Sequence, residues 1–304
     1  MKIKGFLSKL KNSLNAGSEQ CRHFEEQKIL LAKLLVQQLK NKTDVKLLEE
    51  VEFKVFSQWG DDGIIQWLIN NLHIPHKTFI EFGVGDYSES NTRFLMMNNN
   101  WSGLIMDGSS ENMNQVKKAD YYWRYDLEAK AAFIDRDNIN TLIMSRNFDP
   151  EIGILHIDID GNDYWIWDAI DCVSPVIVIM EYNSVFGKDR ALTVPYEKSF
   201  SRTDAHHSHL YFGASLKALN HLACKKGYAL IGSCSAGVNA YFVRKDKLNS
   251  VVKEVDLETG YVLSKARESR DTKGNLTFVT GDNRLQKIKG LPVHNVEKDT
   301  IESL

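Results

Sequence analysis

Between Pro75 and Arg244 short apolar runs alternate with segments of helical pattern, and this alternation limits the fold more than any other feature of the sequence. The apolar runs predict strands over residues 78–82, 103–106, 152–157, 176–181, 229–233 and 240–243. Strands that alternate with helices form a parallel sheet with crossover helices on its faces. The sequence therefore predicts an α/β domain built on a mostly parallel sheet.

The last two predicted strands are connected differently from the others. Only the segment CSAGVN separates them, and it is too short for a crossover helix. They are therefore predicted to pair as an antiparallel hairpin at the end of the sheet. An amphipathic helix precedes this hairpin and is predicted to stop at Gly227, because glycine is the usual residue just past a helix end.

Two segments flank this region. Residues 18–42 have the apolar stripe of a long amphipathic helix, which needs a partner surface. That surface is predicted to be the body of the same chain, with a second copy in a homo-oligomer as the alternative. The charged residues 246–304 are expected to pack over the sheet edge or the mouth of the site. We therefore expect an N-terminal helical extension (1–56), a central domain (57–245) and a C-terminal extension (246–304).

Composition narrows the partners and the compartment. Lys and Arg number 38 and Asp and Glu 40, so the net charge of −2 gives no basic footprint for nucleic acid, and no nucleic-acid partner is expected. The four cysteines are scattered and form no CxxC pair, which argues against a structural zinc site or a disulfide framework. This cysteine usage predicts a cytoplasmic protein.

Stable membrane insertion is not expected. The most apolar stretches, residues 29–36 and 173–180, are far shorter than the roughly 20 residues that span a bilayer. The start of the chain, MKIKGFLSKLKNSL, mixes lysines with apolar residues. This pattern indicates a solvated amphipathic start or, as the alternative, a helix that rests on an anionic membrane surface.

The strongest chemical signal is FIEFGVGDYSES, residues 79–90. Gly83 and Gly85 follow a predicted buried strand and allow the backbone to turn tightly beside a ligand. Glu81, at the strand end, is placed to receive a cationic or hydroxyl-bearing ligand. The next strand ends at Asp107, at the spacing of about 20 residues that is typical of an acid holding ribose hydroxyls.

The details of this motif discriminate between two cofactor classes. A dinucleotide-binding motif needs a third glycine for close helix packing, but Ser88 occupies that place. Asp86 would also put negative charge beside the pyrophosphate. S-adenosylmethionine carries a positive sulfonium and a positive amino group and has no phosphate. The motif therefore favours S-adenosylmethionine over a nicotinamide dinucleotide.

In these motifs the chain resembles the class I S-adenosylmethionine-dependent methyltransferases, and within them the FkbM-like sugar and polyketide O-methyltransferases. The matching segments are IEFGVGDYSES, LIMDGS, LHIDIDGNDYWIWDAI and VIVIMEYN. The resemblance covers about residues 57–245 and implies a Rossmann-like fold with a seven-stranded, mostly parallel sheet that ends in an antiparallel hairpin. One departure is Asp160, which stands where FkbM-like sequences commonly carry Glu.

The resemblance also implies roles for individual residues in binding the cofactor. It places the methionine moiety near Glu81, Gly83 and Gly85 and the ribose at Asp107. It suggests an adenine-side contact at Asp126, in the segment RYDLEA.

A second cluster of polar residues follows two strands that are predicted to be neighbours. It comprises Asp158, Asp160 and Asp163 in HIDIDGND, and Glu181 and Asn183 in EYN. These side chains are expected to converge at the carboxyl end of the sheet, where open α/β folds bind ligands. Asp158, Asp160 and Glu181 are the candidate ligands of a Mg²⁺ or Mn²⁺ ion. The alternative is that one acid caps the next helix and another binds cofactor or acceptor without a metal.

The segment SRTDAHHSHLYFGAS, residues 201–215, supplies the candidate bases. His206 and His207 lie in a polar loop that is expected to reach the cofactor's methyl group, and histidine is a good general base near neutral pH. Asp160 is the third candidate catalytic residue. His156 lies within an apolar strand and is predicted to be a core residue.

Residues 57–63, SQWGDDG, precede the sheet. The two acids and the glycine beside Trp59 fit a segment that closes over a ligand. They fit equally well a helix cap with Trp59 in the core.

These features predict a methyltransferase that moves the methyl group of S-adenosylmethionine to an oxygen of a sugar or other polyhydroxylated acceptor, in surface-polysaccharide or natural-product biosynthesis. The alternatives are a methyltransferase that acts on nucleic acid or protein, and a non-catalytic module that keeps the cofactor fold and binds a partner through residues 18–42. A nicotinamide oxidoreductase is disfavoured by Ser88 and Asp86.

Overall fold

A computed structural model describes the backbone of residues 2–304 and the side chains of residue 20 and of residues 22–304. The strands are β1 Thr78–Phe82, β2 Ser102–Asp107, β3 Leu127–Ala131, β4 Ile154–Ile157, β5 Ile177–Glu181, β6 Leu192–Thr193, β7 Tyr228–Ser233, β8 Asn239–Arg244, β9 Pro292–Asn295 and β10 Thr300–Ser303. The helices are α1 Lys2–Leu39, α2 Asp61–Asn71, α3 Arg93–Asn99, α4 Ser110–Lys118, α5 Ile139–Met144, α6 Asp163–Ala169, α7 Arg202–Ala205, α8 Leu216–Lys226, α9 Leu257–Gly260 and α10 Asn283–Ile288.

Seven strands form the main sheet in the order β3-β2-β1-β4-β5-β8-β7. Strands β1 to β5 run parallel, and β8 lies antiparallel between β5 and β7. The predicted Rossmann-like class I methyltransferase fold, with a mostly parallel sheet that ends in an antiparallel hairpin, is confirmed by this order. Helix α8 ends at Gly227, whose φ of 85° is the left-handed conformation that glycine adopts without strain.

Alternate residues of the central strands face opposite sides of the sheet. In β1, Phe79 packs into the core on one face, whereas Ile80 and Phe82 pack into the core on the other. Helix α2 covers the first face with Trp67, and α6 covers the second with Trp167. Because both faces are covered, the central strands are apolar almost throughout, as is typical of parallel sheets.

The strand order also fixes where a ligand is expected. The chain runs outward from β1 to β3 on one side and from β4 onward on the other, so the direction of winding changes between β1 and β4. Open α/β sheets bind ligands in the crevice at the carboxyl ends of the strands at such a switch point. The glycine motif follows β1, and Asp158 and Asp160 follow β4.

Helix α1 begins earlier than the sequence pattern predicts and ends at Leu39. One face packs on the body of its own chain, in an apolar cluster of Ala32, Val36, Val55, Phe56 and Phe94. A second apolar stripe, exposed by 40–64%, comprises Phe24, Leu30, Leu31, Leu34 and Leu35. The lysine-rich start of α1 lies outside the residues whose side chains the structure describes. In the described part of the chain, no helix combines the length and apolarity needed to cross a bilayer.

The C-terminal segment returns to the end of β5. Strand β9 pairs antiparallel with both β6 and β10 in a second, three-stranded sheet. The hydroxyl of Tyr182, just after β5, donates to the carbonyl of Val262, and the Ser264 amide donates to Ser184 Oγ over 2.9 Å. These contacts bring the tail to the carboxyl edge of the main sheet.

Candidate active site

The turn after β1 depends on two glycines for different reasons. Gly83 has φ 71°, and a Cβ there would overlap the carbonyl oxygen of Asp158, because the loop after β4 packs directly against this turn. Gly85 has φ 54° and no neighbour close to where its Cβ would be. Its amide donates to Asp107 Oδ2 over 2.9 Å. Helix α3 begins only at Arg93, so the glycine turn does not lead directly into a helix N-terminus, as it does in a pyrophosphate-binding motif.

Glu81 is saturated with hydrogen bonds from the protein. Its carboxylate accepts from Ser90 Oγ over 2.7 Å, from the Asn91 amide over 2.9 Å, and from both the amide and the hydroxyl of Thr92. His156 Nδ1 lies 2.8 Å from Glu81 Oε1. Burial raises the pKa of Glu81, but His156 and the hydroxyls outweigh it, so the pKa is lowered overall. Glu81 thus orders the loop after β1 as well as lining a cavity.

His156 is a functional candidate that sequence reasoning missed. It is buried in β4, as predicted for a core residue, but it also lines the cavity beside the glycine turn. Burial lowers the pKa of His156, but the hydrogen bond and the charge of Glu81 outweigh it and raise the pKa overall. The position of His156 was the available signal, because Glu81 and His156 each lie one residue before the end of a predicted strand and the two strands are neighbours.

Two cavities meet beneath the glycine turn. The first, of about 350 Å³, has a polar edge at Asp107 and an apolar wall of Met106, Phe133, Ile134, Ile159 and Phe200. The second, of about 360 Å³, is lined by Gln58, Glu81, His156, Asn239 and the loop after Gly83. Both include Gly83, Gly85 and Asp158. Among the described residues, no Lys or Arg lines either cavity.

The two acids predicted on the cofactor side occupy opposite ends of the sheet. Asp107, at the carboxyl end of β2, lines the first cavity, and its Oδ1 accepts from the Ser109 amide over 2.8 Å. Asp126 precedes β3 instead of following it, and forms an ion pair with Arg146. The structure therefore corrects the adenine-side prediction for Asp126. The residues of this region that line the cavity are those after β3, at positions 132–134.

Three of the five polar residues predicted to converge do so. Carboxylate oxygens of Asp158, Asp160 and Glu181 lie within 4.8 Å of one another. Asp163 instead starts α6 and accepts from the amides of Ile159 (2.8 Å) and Gly161 (2.9 Å), so it holds the loop. The Asn183 side chain likewise bonds to the backbone around it.

This acid cluster, defined as Asp158, Asp160 and Glu181, carries an excess of negative charge. Burial and the charge of Asp160 raise the pKa of Asp158 to about 7. Burial and the charge of Asp158 raise the pKa of Glu181 well above its usual range, and its Oε2 is buried without a hydrogen-bond partner. Asp160 has φ 55°, a strained conformation for a residue other than glycine.

Arg202 supplies the cation that faces the acid cluster. Its Nη1 lies 2.6 Å from Asp160 Oδ1, and its guanidinium stacks 4.0 Å from the centre of the Phe212 ring. If all three carboxylates were ionised around a bound cation, one guanidinium would leave two negative charges, which is the number that a divalent cation balances. Sequence reasoning missed Arg202, because an arginine in a polar loop carries no local signal.

The predicted histidine bases do not reach the acid cluster. The rings of His206 and His207 lie 4.2 Å apart, and His206 Nδ1 bonds to Ser208 Oγ over 2.7 Å. Neither lines a cavity that includes a residue of the acid cluster. Helix α7 turns Arg202 toward the cluster, and the chain that follows pairs with the C-terminal segment, where the Arg270 amide donates to Ser208. Arg202, and not His206 or His207, is therefore the basic residue of this segment that contacts the acid cluster.

A third cavity, of about 110 Å³, lies on the β5 side. It is lined by Gln58, Trp59, Glu181, Asn183, Arg202, Phe212, Ser264, Glu268 and Arg284, among others. Gln58 also lines the second cavity. The N-cap of α2 is Gly60, so the segment 57–63 provides no N-cap side chain for this helix. Instead, Asp62 Oδ2 accepts three amides of residues 55–57, while Gln58 and Trp59 line cavities.

No protein-family model and no curated protein matches the chain. Solved structures resemble it at low identity. An O-methyltransferase family protein from Burkholderia thailandensis is 10% identical, with 72% of this chain and 57% of that chain covered and a TM-score of 0.37. An S-adenosylmethionine-dependent methyltransferase from Clostridium acetobutylicum is 10% identical, with 60% and 89% covered and a TM-score of 0.36. The N-terminal domain of EvdMO1 with SAH bound is 9% identical, with 55% and 72% covered and a TM-score of 0.33. These similarities are partial, and the fold is assigned from the strand order of the chain itself.

Proposed function

We propose that this protein is an S-adenosylmethionine-dependent methyltransferase that acts on an oxygen of a sugar or other polyhydroxylated acceptor. One observation carries the cofactor class: two joined cavities at the switch point of the sheet are edged by carboxylates and lined by no Lys or Arg among the described residues. Such walls repel a pyrophosphate and attract a sulfonium. Their volumes, each above about 300 Å³, are those of small-molecule sites.

The cofactor is proposed to lie across both cavities. The adenine would pack on the apolar wall that includes Phe133 and Ile134, and the ribose hydroxyls would donate to Asp107. The methionine part would continue past Gly83 and Gly85 into the second cavity. Asp158, which lines both cavities, marks the place where the sulfonium and its methyl group are expected.

Methyl transfer then needs alignment and a place for one proton. The acceptor oxygen attacks the methyl carbon in line, a carbon–oxygen bond forms, and the carbon–sulfur bond breaks to leave a neutral thioether. The proton of the acceptor hydroxyl passes to a carboxylate of the acid cluster, for which Asp158 and Asp160 are the candidates. The structure lends this role no support for His206 and His207, which lie outside the cavities at the cluster.

A divalent cation at the acid cluster is a further part of the proposal. Three carboxylates within 4.8 Å form a donor set that suits Mg²⁺ or Mn²⁺, and Glu181 Oε2 has no other partner. The ion would lower the pKa of an acceptor hydroxyl bound to it. Asp158, Asp160 and Glu181 would hold it, with Arg202 beside Asp160.

The organisation of the chain enters the proposal in three ways. We propose that the chain comprises an N-terminal extension (1–56), a cofactor domain (57–245) and a C-terminal extension (246–304). The C-terminal extension supplies part of the lining of the third cavity. A cytoplasmic location agrees with the free thiols of Cys172, Cys224 and Cys234. The outward leucines of α1 are proposed to meet a second copy.

Calorimetric titration with S-adenosylmethionine and S-adenosylhomocysteine, before and after EDTA, tests the cofactor and the metal together, with NADH as the control ligand. We expect micromolar binding of both adenosyl ligands and none of NADH. Asp107→Asn should weaken binding by about tenfold or more, because a charged hydrogen-bond acceptor is lost. Asp126→Asn is the matched control and should bind normally. A folded protein that binds neither adenosyl ligand would make the non-catalytic alternative the leading one.

A further inference from the structure

Arg284 is a buried cation without a counter-charge. It lies in α10, and only 6% of its surface is exposed. Its Nε and Nη1 atoms are buried and have no hydrogen-bond partner, and it forms no ion pair with any residue that the structure describes. A buried charge normally requires a partner, because removing it from water costs free energy that only an ion pair or hydrogen bonds can offset.

The surroundings of Arg284 do not provide that partner. Glu268 lines the same cavity, but it already lies within 4.0 Å of the guanidinium groups of Arg202 and Arg270 and of a ring nitrogen of His209. Burial and the charge of Arg202 lower the pKa of Arg284. Packing does not require a guanidinium here either, since α10 is anchored in its apolar cluster by Leu285 and Ile288.

Arg284 faces the third cavity together with other unsatisfied polar groups. Trp59 Nε1 is a buried donor without a partner, and Glu181 Oε2 is a buried acceptor without one. The cavity is therefore lined by Trp59 and Arg284, which carry unsatisfied donors, and by Glu181, whose unsatisfied acceptor belongs to the acid cluster. A ligand that satisfies all three carries a hydroxyl group toward Glu181 and an anionic group toward Arg284.

We infer that the third cavity binds an anionic group of the acceptor, a carboxylate or a phosphate, through an ion pair with Arg284. This inference rests on the proposed function and narrows it from polyhydroxylated acceptors in general to acidic ones. The volume of about 110 Å³ admits the anionic group and a few neighbouring atoms, so the rest of the acceptor extends toward the acid cluster. Arg284 is assigned as a specificity residue and takes no part in the transfer itself.

Calorimetry on the full chain, with and without saturating S-adenosylhomocysteine, tests the inference. The probes are acetate and inorganic phosphate as minimal anions, and D-glucuronate, D-glucose 6-phosphate and neutral D-glucose as hydroxylated compounds. We expect at least one minimal anion and at least one charged sugar to bind. Glucose should bind at least tenfold more weakly than whichever charged sugar binds more tightly. The preferred anion distinguishes a carboxylate acceptor from a phosphorylated one.

Three variants assign the binding to Arg284. Arg284→Gln should lose at least tenfold in anion affinity, Arg284→Lys should retain part of it, and Lys287→Gln, at an exposed position of the same helix, should change it by less than twofold. The melting temperature of Arg284→Gln should be unchanged or higher, because an uncompensated buried charge is removed. If Arg284→Gln does not fold, Arg284→Lys against the parent protein gives the comparison.

The outcomes separate this inference from the proposed function. S-adenosylhomocysteine binding without any anion preference overturns the acidic acceptor, and an anion preference that Arg284→Gln retains overturns the assignment of the site to Arg284. Either result leaves the methyltransferase proposal standing. Arg284-dependent anion binding in a protein that does not bind S-adenosylhomocysteine supports the anion site and overturns the proposed function.

Discussion

Glu81, one residue before the end of β1, and Glu181, the last residue of β5, lie on parallel strands of one sheet, yet their surroundings differ in almost every respect. Glu81 accepts hydrogen bonds from Ser90, Asn91 and Thr92 and pairs with His156, and its pKa is lowered even though burial alone raises it. Glu181 Oε2 has no partner, and burial with the charge of Asp158 raises the pKa of Glu181.

This difference teaches how the site divides its work. At Glu81 the protein itself satisfies the carboxylate that orders the loop after β1. The β5 side is incomplete, because buried groups there still lack partners. Unsatisfied buried groups cost stability and persist where a ligand satisfies them. We therefore expect substitutions on the β1 side to affect folding and those on the β5 side to affect binding and turnover.

The sharpest test of the comparison exchanges each glutamate for its amide. Glu81→Gln should lower the free energy of unfolding by about 3–5 kcal/mol, because His156 loses its buried counter-charge. Glu181→Gln should leave this free energy unchanged within about 0.5 kcal/mol or raise it, since a repelling charge is removed. Urea denaturation of both variants measures the difference. Equal losses of stability would end the comparison.

The aspartates after β4 extend the same contrast to turnover. Asp158→Asn should reduce methyl transfer by about 10²-fold, roughly 3 kcal/mol of barrier, if a carboxylate of the acid cluster takes the acceptor proton. Asp163→Asn should instead reduce stability, because Asp163 accepts two backbone amides. His206→Ala and His207→Ala are the controls and should retain turnover within twofold. A large loss in a histidine variant with a normal Asp158→Asn would return the base to the histidine loop.

The pH dependence of stability sharpens the β1 side of the comparison. The pKa of His156 is raised above 6.5 by Glu81, against the effect of burial, so its contribution is complete below about 6.5 and is lost as the pH rises through the raised value. The pKa of Glu81 is lowered below 4.5, so its contribution is complete above about 4.5 and is lost as the pH falls through the lowered value.

Unfolding should therefore be hardest between about pH 4.5 and 6.5 as far as this pair is concerned. Thermal melting across pH 3–9 measures it. In Glu81→Gln the effect of burial on His156 is no longer outweighed by Glu81, so this variant should lack the loss of stability as the pH rises above about 6.5. A parent protein and variant with parallel pH profiles would contradict the ion pair.

The smallest effect on folding is expected on α1, which has one apolar face packed on the body of the chain and another apolar face exposed. Leu31→Glu, on the exposed face, should change the free energy of unfolding by less than about 0.5 kcal/mol but halve the mass measured by light scattering if copies meet there. Val36→Glu, on the buried face, should destabilise the protein, because it buries an unpaired charge. An unchanged mass in Leu31→Glu would remove the proposed self-association.

The strands that periodicity predicted are those with apolar side chains on both faces. All six lie within a few residues of their predicted bounds. The remaining strand of the main sheet, β3, was not predicted. It has the sequence LEAKA and lies at the sheet edge, where one face is half exposed and the apolar signal is weak. The same weak signal explains why Asp126 was predicted on the cofactor side of the sheet. When the start of a strand is not visible in the sequence, the end of the strand at which an acid lies cannot be predicted.

Candidate residues on the strands and their first turns were brought to the site more often than those in loops. Gly83, Gly85, Asp107, Asp158 and Glu181 line the cavities as their strand ends implied. The loop at 201–209 has no periodicity that fixes which side chain faces the sheet. The structure turns Arg202 inward and leaves His206 and His207 outside.

The sequence by itself determined six of the seven strands of the main sheet, its closing hairpin and the glycine turn at its switch point, because these depend on neighbours a few residues apart. The tertiary structure alone decided which acids are already satisfied and which are not. Glu81 meets His156 across a strand pairing, and Glu181 shares a cavity with Arg284 from the C-terminal segment. A carboxylate's chemistry depends on the donors and charges around it, and those come from segments that only the folded chain brings together.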